Sequence, residues 1–256
     1  MIEDQTDDIE FDTDEAKDRL PAVHDPDLYW QSLPLIEPDA DILARNHVIS
    51  AARSDPAHAA FDMLRTRLLQ ALNEQGWTRV AVTAPTRGCG SSFVTANLAY
   101  SVSRLEASRS IVLDLDMRAP SLHSTLGLKA KHSMAEYLQG SLDPEEFLIR
   151  TRSNLAFGLN GTSEMDAAEL FQDTMTADVL DELQDLLCPE LMLFDLPPAL
   201  EHDDVLAVLP NVDGVLVVAG GGVSTAEDIT KVEQMLSEVK PLLGVMLNKA
   251  EGKVSF

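Results

Sequence analysis

The segment that most restricts how this chain can fold is residues 80–105. A short apolar run, Val80-Ala81-Val82-Thr83, leads into Ala-Pro-Thr-Arg-Gly-Cys-Gly-Ser-Ser-Phe at 84–93. A helical pattern follows, carried by Val94, Leu98, Tyr100, Val102 and Leu105. A strand that runs through a glycine loop into a helix turns successive backbone N–H groups toward one point. The helix N-terminus adds partial positive charge there, and both effects favour a phosphate. Gly88 and Gly90 let the backbone approach phosphate oxygens, and Ser92 stands where a hydroxyl ligates Mg²⁺ in such loops. The residue after the last glycine, however, is Ser91 and not lysine. That lysine normally holds the β- and γ-phosphates and stabilises charge during transfer. A serine hydroxyl is uncharged and shorter, so the loop predicts a nucleotide site that lacks its main catalytic cation.

Two more apolar runs end in carboxylates. Ile111-Val112-Leu113 leads to Asp114 and Asp116, followed by Arg118 and Pro120; Leu191-Met192-Leu193-Phe194 ends at Asp195, followed by Pro197-Pro198. Open parallel sheets bind ligands at the C-terminal edge of their strands, so these carboxylates are expected beside the loop. Asp114 and Asp116 are the catalytic candidates, and Ser92, Asp114 and Asp195 the metal candidates. An aspartate at a strand end is more often a cap or turn former when it stands alone; the order and context of all three segments carry the reading.

Composition limits the surroundings. The 256 residues suffice for one large α/β domain and a tail, and 45% hydrophobic with only 5% aromatic residues predicts an aliphatic core. With 43 acidic against 19 basic residues, the net charge of −24 repels phosphate backbones and argues against a nucleic-acid partner. Cys89 and Cys188 cannot build a disulfide framework, and the six histidines lack metal-ligand spacing. The sequence has neither a secretory signal pattern at its start nor an apolar run near membrane-spanning length. A cytoplasmic protein without direct membrane insertion is therefore expected.

Residues 1–53 read as an acidic, largely disordered arm with prolines at 21, 26, 34 and 38. Its apolar patch, Tyr29, Trp30, Leu33, Leu35 and Ile36, either folds back on the domain or docks on another protein. Residues 54–256 read as the folded domain, with a helix entered through Ser54-Asp55-Pro56 and running to Gly76. Strands are expected at 79–84, 110–115, 154–159, 191–195, 213–219 and 243–248. Helices are expected at 92–106, 134–139, 143–150, 166–187, 201–208 and 225–239. The fold class is thus α/β, a mostly parallel sheet covered by helices on both faces.

From about residue 56 to 249 the chain resembles the cytoplasmic kinase module of bacterial tyrosine kinases, relatives of the MinD/ParA class of P-loop ATPases. The resemblance rests on the glycine loop, on Asp114/Asp116/Arg118/Pro120, on Asp195/Pro197/Pro198, and on the strand ending Leu247-Asn248-Lys249. It implies ATP or ADP with Mg²⁺, bound through Arg87, Gly88, Cys89, Gly90, Ser91, Ser92, Phe93 and Arg118. It also implies that Asn248 faces the base, although a plain polar strand end is the competing reading. The implied setting is exopolysaccharide or capsule biosynthesis. There the partner is a polysaccharide co-polymerase or chain-length regulator at the inner membrane, which holds the protein peripherally, with homo-oligomers a further expectation.

Departures from the family pattern point one way. Ser91 replaces the lysine, Ala59 and Asp62 replace two positions of a self-association motif of which Arg65 survives, and the chain ends without a tyrosine cluster. A kinase-like protein of weak transfer, regulatory or scaffolding in role, is the leading expectation. An active kinase using Arg87 or Arg118 in place of the lysine is the alternative, and a MinD/ParA-like positioning ATPase a third.

Overall fold

The structure, a computed structural model, describes residues 25–52 and 55–250. Seven strands form one sheet: β1 (Arg79–Thr83), β2 (Ser110–Asp114), β3 (Leu148–Arg152), β4 (Leu155–Gly158), β5 (Leu191–Asp195), β6 (Gly214–Gly220) and β7 (Leu242–Asn248). Their order across the sheet is β3-β4-β2-β5-β1-β6-β7, with every pairing parallel except β3–β4. The central strands are buried from end to end because helices cover both faces, which is why their sequences are continuous apolar runs and not alternating ones.

The helices are α1 (Pro26–Ser32), α2 (Ala40–Arg45), α3 (Ile49–Ala52), α4 (His58–Gln75), α5 (Ser91–Val102), α6 (Leu122–Leu126), α7 (Met134–Leu138), α8 (Pro144–Phe147), α9 (Ala167–Gln172), α10 (Thr174–Leu187), α11 (Asp204–Val208) and α12 (Ala226–Ser237). On one face, Val179, Leu180, Leu183 and Leu187 of α10 share one buried apolar cluster with Met192 and Phe194 of β5. On the other, α5 is buried along its length beneath α4, with Leu98 and Val102 meeting Val80, Val112 and Leu193.

The expected α/β architecture is present, and several boundaries change. The first concerns the arm. Residues 1–24 lie outside the described residues, but 25–52 form three helices, α1 packed against α10, α2 against α6 and α3 against α4 and α5, so the folded part begins before the expected boundary at 53. Trp30 is 3% exposed and donates through Nε1 to the Ser153 carbonyl at 2.6 Å, with Arg109 over its ring. Residues 34–36 run beside β3, where the Arg150 N–H donates to the Pro34 carbonyl and the Ile36 N–H to the Arg150 carbonyl. This covers a sheet edge that would otherwise present unpaired backbone groups. Of the apolar patch, Trp30 and Leu33 fold back onto the domain, whereas Tyr29, Leu35 and Ile36 stay exposed.

The expected helix at 143–150 stops at Phe147, and the Leu-Ile-Arg-Thr-Arg segment after it pairs antiparallel with β4 as a strand the sequence reading missed. The expected single helix at 166–187 is two. Asp173 breaks it by adopting an extended backbone and capping Met175 N–H at 2.9 Å, a geometry incompatible with a helix interior. The first helix of the expected domain begins at His58, with Asp55 accepting from the Ala57 N–H just before it.

Candidate functional site

Register brings the carboxylates together. β2 and β5 are neighbours, and Asp114 pairs with Asp195 at their C-terminal ends. β1 lies on the other side of β5 and delivers its loop to the same edge. The loop turns through Gly88 at φ 84° and Gly90 at φ 92°, a region that glycine enters without steric cost. Gly90 is doubly constrained, because an added Cβ would stand 2.4 Å from Asn248 Nδ2. α5 starts at Ser91, so its free N–H groups open on the loop.

The loop, Asp116 and Ser121 enclose a cleft of about 350 Å³. Asp114 and Asp195 are fully buried at the strand ends. Asp114 Oδ2 accepts from the Leu122 N–H at 3.0 Å, and Asp195 Oδ1 accepts from Thr95 Oγ1 at 3.0 Å. Among the described residues no hydrogen bond of good geometry reaches Asp114 Oδ1 or Asp195 Oδ2. Burial, reinforced by the negative charge of Asp195, pushes Asp114 well above the usual carboxylate range. Burial also raises Asp195, against the opposing pull of the Ser92 and Thr95 hydroxyls. Two orphaned carboxylate oxygens in an apolar setting fit a divalent cation, which would satisfy both and remove the electrostatic cost. Ser92 lies on the same side, accepting from Ser121 Oγ at 2.9 Å. Among the described residues no three His, Cys, Asp or Glu side chains form a metal cage. A pair of carboxylates and a hydroxyl, completed by phosphate and water, is nevertheless the kind of set Mg²⁺ accepts.

The remaining expected residues divide. Ser91, Ser92 and Phe93 line the cleft, Phe93 with its ring edge-on to Phe61 of α4. Cys89 is buried behind the loop, its thiol 3.2 Å from Ser224 Oγ, so only its backbone serves the site. Arg87 sits at the rim, donating to Asp116 at 3.0 Å and pairing with Glu201 at 3.2 Å. Arg118 is a correction: it makes a two-pronged pair with buried Asp204 at 2.6 and 2.9 Å and does not line the cleft. Asn248 is another. Its amide donates to the Cys89 carbonyl at 2.9 Å, so it braces the loop from beneath instead of presenting that nitrogen to a base. Sequence reasoning missed three contributors: Ser121, Glu201, whose carboxylate accepts from the Arg87 N–H at 2.8 Å, and Lys249, whose ammonium reaches the Gly88 carbonyl.

Outside the cleft, Asp62 and Arg65 are turned inward onto α5. Ser101 Oγ donates to Asp62 at 2.6 Å, and Arg65 donates to the Ser101 carbonyl at 3.0 Å. Tyr100 and Tyr137 are core residues, 2% and 1% exposed. No helix among the described residues is long and apolar enough to cross a membrane.

Comparison with known proteins agrees with this geometry. EpsB of Ralstonia solanacearum is 28% identical over 229 residues, which cover 86% of this chain and 30% of that protein. The chain thus spans under a third of the length of that relative. The kinase domain of Escherichia coli tyrosine kinase ETK superposes with a TM-score of 0.73 at 24% identity, covering 82% of this chain and 84% of that one. The septum site-determining protein MinD of Pyrococcus horikoshii, complexed with Mg-ADP, gives 0.57 at 18% identity over 68% of this chain and 71% of that one. The ParA family model, described as NUBPL iron-transfer P-loop NTPase, matches residues 77–253. That match covers more than half of the chain, which belongs to the ParA-type family of P-loop NTPases.

Proposed function

We propose that this chain is a nucleotide-binding, kinase-like module of exopolysaccharide or capsule assembly. It binds MgADP or MgATP but transfers phosphate poorly, and it acts as a regulatory or scaffolding partner of a membrane-bound co-polymerase. The observation that supports this reading is the register pair of Asp114 and Asp195, buried at the strand ends beside a loop that carries Ser92 and has serine at position 91. A buried carboxylate pair with orphaned oxygens is costly unless something binds there. The amide-lined loop supplies the complementary site for phosphates. Bound Mg²⁺ would neutralise the carboxylates and draw charge from the phosphate oxygens. Transfer needs more, because the charge that grows on the phosphoryl oxygens has no ammonium following Gly90 to meet it. Losses of 10³-fold or more are typical when such a charged group is absent. The inward-turned Asp62–Arg65–Ser101 contact and the buried Tyr100 and Tyr137 also leave little for self-association or autophosphorylation at those positions.

Isothermal calorimetry with MgADP and MgATP, beside a radiolabelled hydrolysis and autophosphorylation assay, tests the reading. Binding with negligible turnover supports it; sustained hydrolysis or tyrosine phosphorylation sinks it.

One observation favours a second reading. Arg87 lines the cleft and contacts Asp116. An arginine there can grip phosphate in a two-pronged way, so the protein would be an active kinase or ATPase with a displaced cation. In that case Arg87→Ala abolishes a turnover that the wild type displays.

A further inference from the structure

Serine at position 91 removes one cation from the loop, but the cleft still holds an ammonium brought from the far end of the sequence. Lys249 follows the last residue of β7, lines the cleft, and donates from Nζ to the Gly88 carbonyl at 2.7 Å. Its backbone is left-handed, at φ 56°. That conformation costs a non-glycine residue on the order of 1–2 kcal/mol and persists only where the surroundings impose it. The surroundings are visible. The Gly221 N–H donates to the Asn248 carbonyl at 2.8 Å, and a Cβ on Gly221 would stand 2.5 Å from the Lys249 carbonyl oxygen. Asn248 meanwhile holds the Cys89 carbonyl. The strand end is therefore bent toward the loop and fixed there, and the bend carries the lysine stem to Gly88.

The competing cations are committed. Arg87 is shared between Asp116 and Glu201, and Arg118 belongs to Asp204. Among the described residues lining the cleft, Lys249 is the one cation with no carboxylate partner. A lysine is a compact charge on a flexible four-carbon stem, able to exchange a backbone carbonyl for a phosphate oxygen without moving the backbone.

We infer that Lys249 supplies the positive charge for phosphate binding that Ser91 does not, capping the Gly88 carbonyl in the ligand-free protein and turning to the nucleotide phosphates when they are bound. This rests on the cleft being a nucleotide site, and it separates affinity from transfer: the charge enters beside Gly88, while the position after Gly90 stays neutral.

Calorimetry on the full chain with MgATP, magnesium pyrophosphate and adenosine tests the assignment, using wild type, Lys249→Met and Lys249→Arg. Lys249→Met is expected to weaken MgATP and pyrophosphate about tenfold or more, the size of one charge-assisted hydrogen bond, with adenosine changed less than about twofold. Lys249→Arg should recover most of the loss. Unchanged MgATP affinity in Lys249→Met overturns the inference, and so does an equal loss for adenosine, which would make the lysine a wall for the nucleoside. A wild type that binds none of the three overturns the nucleotide reading itself and this inference with it. Equal thermal midpoints of the ligand-free variants exclude a folding defect.

Discussion

Asp195→Asn should stabilise the ligand-free protein, and increasingly so as pH rises from about 4 to about 7. Asp195 is fully buried, its Oδ2 has no well-formed hydrogen bond among the described residues, and burial lifts its pKa from the ordinary 3.8 to about 7. The folded state therefore holds this proton more tightly than the unfolded chain. Between those two values the native protein binds more protons than the unfolded one, so stability falls as pH rises through the window and the loss is complete above about 7. Roughly three pH units at about 1.36 kcal/mol each amount to a cost of about 4 kcal/mol at pH 8. Asparagine carries no such cost, keeps an acceptor for Thr95, and offers an N–H on the side of the Asp114 pair. In EDTA, urea denaturation should find Asp195→Asn more stable than wild type by a few kcal/mol at pH 8, by roughly 1.6 kcal/mol at pH 5, and by almost nothing only below about pH 4. With millimolar MgCl₂ and ADP added, the wild type should gain stability at pH 8 and the variant should not. A variant that is less stable than wild type at both pH values would refute the reasoning, since the carboxylate would then be satisfied in a way that removes its cost.

Other outcomes follow from the same contacts. Trp30→Ala should cost about 3–5 kcal/mol in chemical denaturation, from lost packing and an orphaned Ser153 carbonyl; a change below about 1 kcal/mol would mean residues 25–36 do not belong to the fold. Gly90→Ala should abolish nucleotide-induced thermal shifts with a smaller effect on the ligand-free midpoint, because its Cβ collides with the Asn248 brace and φ 92° disfavours a side chain. Asn97→Leu should lower stability by about 2–4 kcal/mol. Its amide joins the His47 and Phe93 carbonyls and the Ser50 N–H at 3.0–3.1 Å, and leucine leaves buried groups unpaired. Protease sensitivity between α2 and α4 reads that loss directly.

The central sheet was legible because fully buried parallel strands have a distinctive sequence, uninterrupted Val, Leu and Ile, and the carboxylates were legible because two such runs end in aspartate in the company of a glycine loop. Asp114 and Asp195 were singled out together with the glycine loop; the two carboxylates pair at the ends of β2 and β5, while the loop lines the cleft. What stayed hidden depended on partners distant in sequence. Leu148–Arg152 becomes a strand through pairing with β4 and the segment around Leu35, neither of which its own periodicity reveals. Prolines 26, 34 and 38 suggested an unstructured arm, yet Pro26 is the first residue of a helix capped by Asp25, a position that proline favours. Arg118 was assigned to phosphate because of its motif, and only the fold shows Asp204 waiting for it. Lys249 carries no local signal beyond following an asparagine at a strand end; its meaning lies in a bend held by Gly221.

The most direct test of the claim that this cleft binds but scarcely transfers is one paired measurement on wild type and Ser91→Lys. MgATP affinity is measured by calorimetry and phosphate release by single-turnover kinetics. Wild type is expected to bind MgATP with almost no release, and Ser91→Lys to raise release by a factor of 10³ or so, with only a modest change in affinity. Release by the wild type at a rate the lysine variant does not exceed would contradict it.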